Sequence, residues 1–167
     1  MLMIIKSKGI VNRIIKDEYG SKGKQFTENG MPSFSLPLEI SEEPKGTRSF
    51  AIVMEDLDAI PVCGFSWIHW TISDLQTNML EENESMNGSF TQGVNSYHSI
   101  ASDISIKEAT GYGGPDPPDK EHEYTIRVFA LNTVLKMSSG FYLNDLYKKM
   151  EGHVLAHAVL TGLYSPE

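Results

Sequence analysis

The most constraining feature of this 167-residue chain is the run RSFAIVMED at residues 48–56. It is nearly continuously apolar and rich in β-formers, so it reads as a buried strand and needs partner strands and a core around it. Two further runs supply partners: WIHWTISDL from Trp67 to Leu75 and EYTIRVFAL from Glu123 to Leu131. Between strands the chain is punctuated by glycine and proline. GYGGPDPPDKEHE at 111–123 cannot be helical. In SFSLPLEIS, Phe34, Leu36, Leu38 and Ile40 alternate with Ser35, Pro37, Glu39 and Ser41, a strand period, and Pro37 makes it an edge or irregular strand. The N-terminal 15 residues read as an edge strand, 19–30 as a loop, 76–96 as a long connection, and 97–110 as ambiguous.

The C-terminal stretch NDLYKKMEGHVLAHAVLTGLY reads as two helices. Asn144 caps the first, Gly152 breaks it, and a second runs from about His153 to Tyr164. The expected architecture is mainly β, two packed antiparallel sheets with short helices near the C-terminus, forming a single domain over 1–167.

Composition narrows function. Hydrophobic residues make up 40% and charged residues 22%, and 14 basic against 22 acidic side chains leave a net charge of −8. A broad footprint on a nucleic-acid backbone or a polybasic membrane contact is disfavoured. Cys63 is the one cysteine, so no intramolecular disulfide forms, which suits a cytoplasmic location. The N-terminal MLMIIKSKGIV has no basic segment ahead of its short apolar start and reads as a strand, not a signal peptide. No run approaches a membrane span.

Chemistry-bearing residues gather at strand ends. Asp56 and Asp58 close the RSFAIVMED run two residues apart, which on an extended backbone turns both carboxylates to one side. Asp is equally at home at turn entries, so the turn reading stands beside the pocket reading. In strand register Trp67 and His69 share one face, and Ile68 and Trp70 share an apolar one. His122 and Tyr124 form a second polar pair, directly after the Gly/Pro loop. Two carboxylates and two imidazoles also make a ligand set for a zinc or manganese hydrolase, although no recognised metal signature spaces them. His153 and His157, four apart, read as capping or packing residues, and Cys63 as a small packed side chain.

Four motifs in order resemble the phosphatidylethanolamine-binding protein family, also called Raf kinase inhibitor proteins, and its bacterial and archaeal branch in particular. They are SFAIVMEDLDAI, WIHW, YGGPDPPDKEHEY and GHVLAHAVLTGLY. The resemblance implies a β-sandwich with an anion-accepting pocket built from Asp56, Asp58, Trp67, His69, Gly114, Asp116, Pro117, His122 and Tyr124. It implies binding, not catalysis: a phosphorylated or other anionic group as ligand, a kinase or protease as protein partner, a homodimer, and no cofactor. Three positions depart from the family pattern. Ile60 stands where proline is usual, with Pro61 one place later; Asp116 adds a negative charge, and Glu123 replaces a common arginine. The two imidazoles, the Tyr124 hydroxyl and the N–H groups of the Gly-rich loop are the expected anion donors.

Overall fold

The computed structural model describes residues 2–167. In chain order the strands are β1 (Ile4–Lys6), β2 (Ile10–Val11), β3 (Ile14–Ile15), β4 (Leu38–Ser41), β5 (Ser49–Asp56), β6 (Trp67–Leu75), β7 (Met79–Leu80), β8 (Thr91–Gln92), β9 (His98–Ser99), β10 (Ser102–Asp103), β11 (His122–Leu131) and β12 (Val154–Tyr164). Three short helices intervene: α1 (Ile60–Cys63), α2 (Glu84–Asn87) and α3 (Leu143–Met150). The chain is mainly β.

The long apolar runs pair as their composition demands. The main sheet has seven strands in the order β2-β3-β12-β11-β5-β6-β8, which places β5 and β11 at its centre. All six residues Phe50–Met54 and Asp56 of β5 are buried. A second sheet runs β1-β4-β7, and β9 and β10 form a separate hairpin. Ile5, Leu38, Ile40 and Leu80 of the small sheet share one core with Ile52, Met54, Trp70, Ile72 and Ile126 of the large one. The large sheet is mixed, because β3 lies parallel to β12 at the Ile14–Leu163 contact, so the all-antiparallel expectation is corrected. Pro37 stands immediately before β4, and β4 lies between two strands instead of at an edge.

α3 ends at Met150, and Gly152 follows with φ +78°. Tyr142, not Asn144, precedes the helix. The second C-terminal helix does not form. Residues 154–164 are the eleven-residue strand β12, in register with β11 from Val154–Leu131 to Tyr164–His122. The apolar residues that satisfy a helical spacing also satisfy alternation, and β-branched Val154, Val159 and Thr161 tip the local balance. Tertiary pairing then decides. Gly162 allows a close approach here, since a Cβ on it would lie 2.6 Å from Ile15 Cγ1.

Candidate functional site

The end of β5 organises the site. After Asp56 the chain turns into a 3-10 segment, Leu57–Ala59, and then α1, with Pro61 in its first turn. Asp56 Oδ1 accepts from the Ala59 N–H at 3.2 Å, the turn role expected of such a residue. Its Oδ2 accepts from His122 Nδ1 at 2.7 Å. Both readings of Asp56 therefore hold at once. The turn also breaks the extended geometry that would have aligned Asp58 with it. Asp58 is exposed, and its Oδ2 accepts from the Glu123 N–H at 2.9 Å, outside the cavity.

On the neighbouring strand a bulge re-aims the aromatic residues. Met54 pairs with Trp70 and Glu55 with Ile68, which leaves His69 as the extra residue. Trp67, opposite Asp56, and Trp70, opposite Met54, thereby share a sheet face with His69 between them. The expectation that Trp70 faces away from Trp67 is corrected by this irregularity. Trp70 goes to the core, while Trp67 and His69 line a cavity of about 240 Å³. Asp56, Asp116, Pro117, His122, Tyr124 and Tyr97 complete most of its wall, and Cys63 of α1 lies at its edge. The His69 ring stands edge-on to Tyr124, with centroids 5.1 Å apart.

Gly114 is buried but does not line the cavity. Its carbonyl accepts from the Tyr97 hydroxyl at 2.8 Å, which fixes one wall. A Cβ at this position would lie 2.4 Å from the Tyr19 carbonyl, so the loop passes too close for any side chain. The loop's amides are largely consumed. Gly111, Gly113 and Gly114 donate to Gly93, His69 and Pro32 carbonyls, and Tyr112 donates to Ser85 Oγ. The expected cradle of free glycine N–H groups is therefore absent from 111–114. Asp116, at the mouth, keeps an amide with no protein partner among the described residues.

The two histidines are in opposite states. His69 is buried, and its Nδ1 donates to the Gly113 carbonyl at 2.6 Å. Burial depresses its pKa, and the Gly113 carbonyl and the Asp56 and Asp116 carboxylates offset this only in part. The ring is neutral at pH 7, so Nε2 is a bare acceptor. His122 also feels burial, but hydrogen bonds to Asp56 and Asp119 prevail and raise its pKa. Its Nε2 lies 2.8 Å from Asp119 Oδ1. Carboxylates accept only, so both ring nitrogens donate and the ring is an imidazolium. Asp119 was missed in the sequence; its signal is a carboxylate three residues before His122. Tyr97 was also missed, and nothing in its local sequence marks it.

Two cavity-lining donors have no partner among the described residues: Trp67 Nε1 and Tyr124 Oη. Burial raises the Tyr124 pKa strongly, with the Asp56 charge adding to it, so the hydroxyl keeps its proton. The cavity thus offers donors from Trp67, Tyr124 and the Asp116 amide, and acceptors at His69 Nε2 and the Asp116 carboxylate. Among the described residues no three His, Cys, Asp or Glu side chains are grouped to hold a metal ion. Glu123 points elsewhere, pairing with Arg13 at 2.9 Å on the surface.

A mainly β fold with a small cavity at the strand ends is what these residues build, and comparison gives it a family. Residues 10–165 match the profile of the phosphatidylethanolamine-binding protein family, and the chain belongs to it. It is 40% identical over 154 residues to the Bacillus subtilis protein YxkA, covering 87% of this chain and 90% of that one. It is 36% identical over 151 residues to a UPF0098 protein of Methanothermobacter thermautotrophicus, covering 89% and 93%. A Chlamydia trachomatis protein solved as a homologue of the family superposes with a TM-score of 0.81 at 28% identity, over 99% of both chains. Escherichia coli YbcL shares the fold with a TM-score of 0.78 at 24% identity, over the whole of both chains. No helix among the described residues is long and apolar enough to cross a membrane.

Proposed function

We propose that this chain is a non-enzymatic binding protein whose cavity takes a small phosphorylated or otherwise anionic group, such as a phospholipid head group. One observation carries the reading: Trp67 Nε1 and Tyr124 Oη are buried donors without partners, and both line the same cavity. A buried donor left unpaired costs about 1–3 kcal/mol, and an acceptor-rich ligand relieves that cost. His69 Nε2 accepts from a ligand hydroxyl when neutral and becomes a third donor when protonated. Anion affinity therefore rises as pH falls through the depressed His69 pKa, below the ordinary value of about 6.5.

Calorimetric titration with sulfate, whose charge is constant over this range, at about pH 8 and at the lowest pH at which the fold persists tests this dependence. Tighter binding at the acid end is expected, and equal affinity at both overturns it. His69→Ala lowers the affinity at least about tenfold without unfolding the protein. Retained affinity in that variant removes the cavity from the proposal.

Pairing of two copies and engagement of a kinase or protease complete the reading. In support of self-association, among the described residues β12 is paired on its outer flank only at Leu163. Val154, Leu155 and Val159 are exposed along that strand, which has neither a proline nor an acidic or basic residue other than His157. Natural edge strands normally carry such protection, and one edge is complementary to a second copy of itself about a two-fold axis. Light scattering of the native chain and of Val159→Lys is the test. A dimer that the substitution dissociates is expected, and a monomer in both overturns the pairing.

A further inference from the structure

His122 lines the cavity, yet its ring offers nothing to a ligand. Nδ1 is held by Asp56 at 2.7 Å and Nε2 by Asp119 at 2.8 Å. The two carboxylates differ in how firmly they are held. The Asp56 side chain is 5% exposed, ends a central strand and also caps the following turn. The Asp119 side chain is 47% exposed and stands on the Gly/Pro loop just beyond Pro117 and Pro118. Only the second can move aside without breaking the core.

We infer that Asp119 is a displaceable cap on the cavity-lining ring of His122: it stands outside the cavity lining, its carboxylate takes the second N–H of that ring, and a ligand oxyanion gains the donor only by displacing it. The inference rests on the binding reading given above and assigns the residue that sets its specificity. Exchanging Asp119 for a ligand carboxylate replaces one monoanion with another on the same imidazolium, so the ligand gains little. A phosphomonoester or inorganic phosphate brings more acceptor oxygens, and more charge once it is a dianion, so that one group can serve the unpaired donors Trp67 Nε1 and Tyr124 Oη as well as His122. Asp119 thereby acts as a threshold that favours phosphoryl groups over carboxylates.

The test compares the native chain with Asp119→Ala and Asp119→Asn, titrated with inorganic phosphate and with acetate. Titrations are run at a pH where ring nitrogen NMR shows His122 doubly protonated in all three proteins. Asp119→Ala is expected to bind phosphate about tenfold more tightly and to acquire measurable acetate binding. Asp119→Asn retains an acceptor for Nε2 and falls between the two. Ring nitrogen NMR of His122 supplies a ligand-free readout: its titration midpoint falls in Asp119→Ala, as loss of the contact requires. Unchanged or weaker phosphate binding in Asp119→Ala, with that midpoint shifted and the fold intact, overturns the threshold role while leaving the binding reading standing. Absence of phosphate binding in all three proteins overturns both.

Discussion

The two sides of the cavity solve the problem of burying an imidazole in opposite ways. On the β6 side, His69 gives one N–H to a backbone carbonyl and stays neutral. On the β11 side, His122 is gripped by two carboxylates and stays charged. Strand β5 runs between them, and its last residue, Asp56, serves the charged side. The difference teaches which side is available. A neutral ring with a free nitrogen can meet a ligand directly, whereas a clamped imidazolium holds the wall together and is reached only through Asp119.

The largest effect should come from breaking the charged side. Asp56→Ala removes the buried partner of His122 and the Ala59 contact in one step. Breaking a buried ion pair from one side typically costs about 3–5 kcal/mol, because the remaining charge is stranded. Urea unfolding should show a loss of that order in Asp56→Ala and a smaller one in Asp56→Asn, whose single amide oxygen keeps an acceptor for one of the two contacts. A loss below about 1 kcal/mol in Asp56→Ala would mean that His122 is not charged.

The comparison also fixes the shape of stability against pH. Below about 6.5 the unfolded chain protonates both histidines. Native His69 resists protonation, so its contribution is complete above that value and is lost as pH falls toward its depressed pKa. Native His122 holds its proton, so its contribution is complete below that value and is lost as pH rises through its raised pKa. Together they give a maximum near pH 6.5, on top of the slow trend from other groups. His69→Gln should flatten the acid limb and Asp119→Asn the alkaline limb, read by thermal melts across pH. Identical profiles in the three proteins would remove the distinction between the two rings.

Much of this was legible in the sequence, and the misses have physical causes. The apolar runs at 49–56, 67–75 and 122–131 are strands because their composition leaves them no other buried state. Trp67, His69, His122 and Tyr124 come together because three of those strand ends meet. The helix expected at 153–164 failed where one apolar pattern serves two periods, and only pairing with β11 chooses between them. Asp58 left the cavity because a 3-10 turn begins one residue before it, a matter of one residue's backbone angles. Likewise the His69 bulge depends on register across two strands, which no single run records. His153 bonds Asn132 at 2.9 Å through its ring, and its backbone N–H meets the Met150 carbonyl at the end of α3 and so closes that helix instead of opening a second one.

Tyr124 allows a finer test, since it stands on β11 with its ring edge-on to His69, and its hydroxyl is a buried donor unpaired among the described residues. Tyr124→Phe should leave the free protein as stable or up to about 1 kcal/mol more stable, because the desolvated hydroxyl is gone and the ring remains. The same change should weaken phosphate binding severalfold. This opposite movement of stability and affinity marks a group kept for a ligand. A clear loss of stability would instead mean that the hydroxyl supports the fold.

The smallest effect is expected at Asp58, and it separates the cavity from its surroundings. Asp58 lies two residues from Asp56 but is exposed, and among the described residues its carboxylate accepts one hydrogen bond, from the Glu123 N–H at 2.9 Å. Water can replace that contact at little cost, so Asp58→Ala should cost under about 1 kcal/mol. Phosphate affinity and both histidine titrations should stay at native values. Were Asp58→Ala to shift the His122 midpoint or the affinity as strongly as Asp119→Ala, the charged side would extend along the whole turn. The contrast between one firmly held carboxylate and one displaceable one would then give way to a shared field of three.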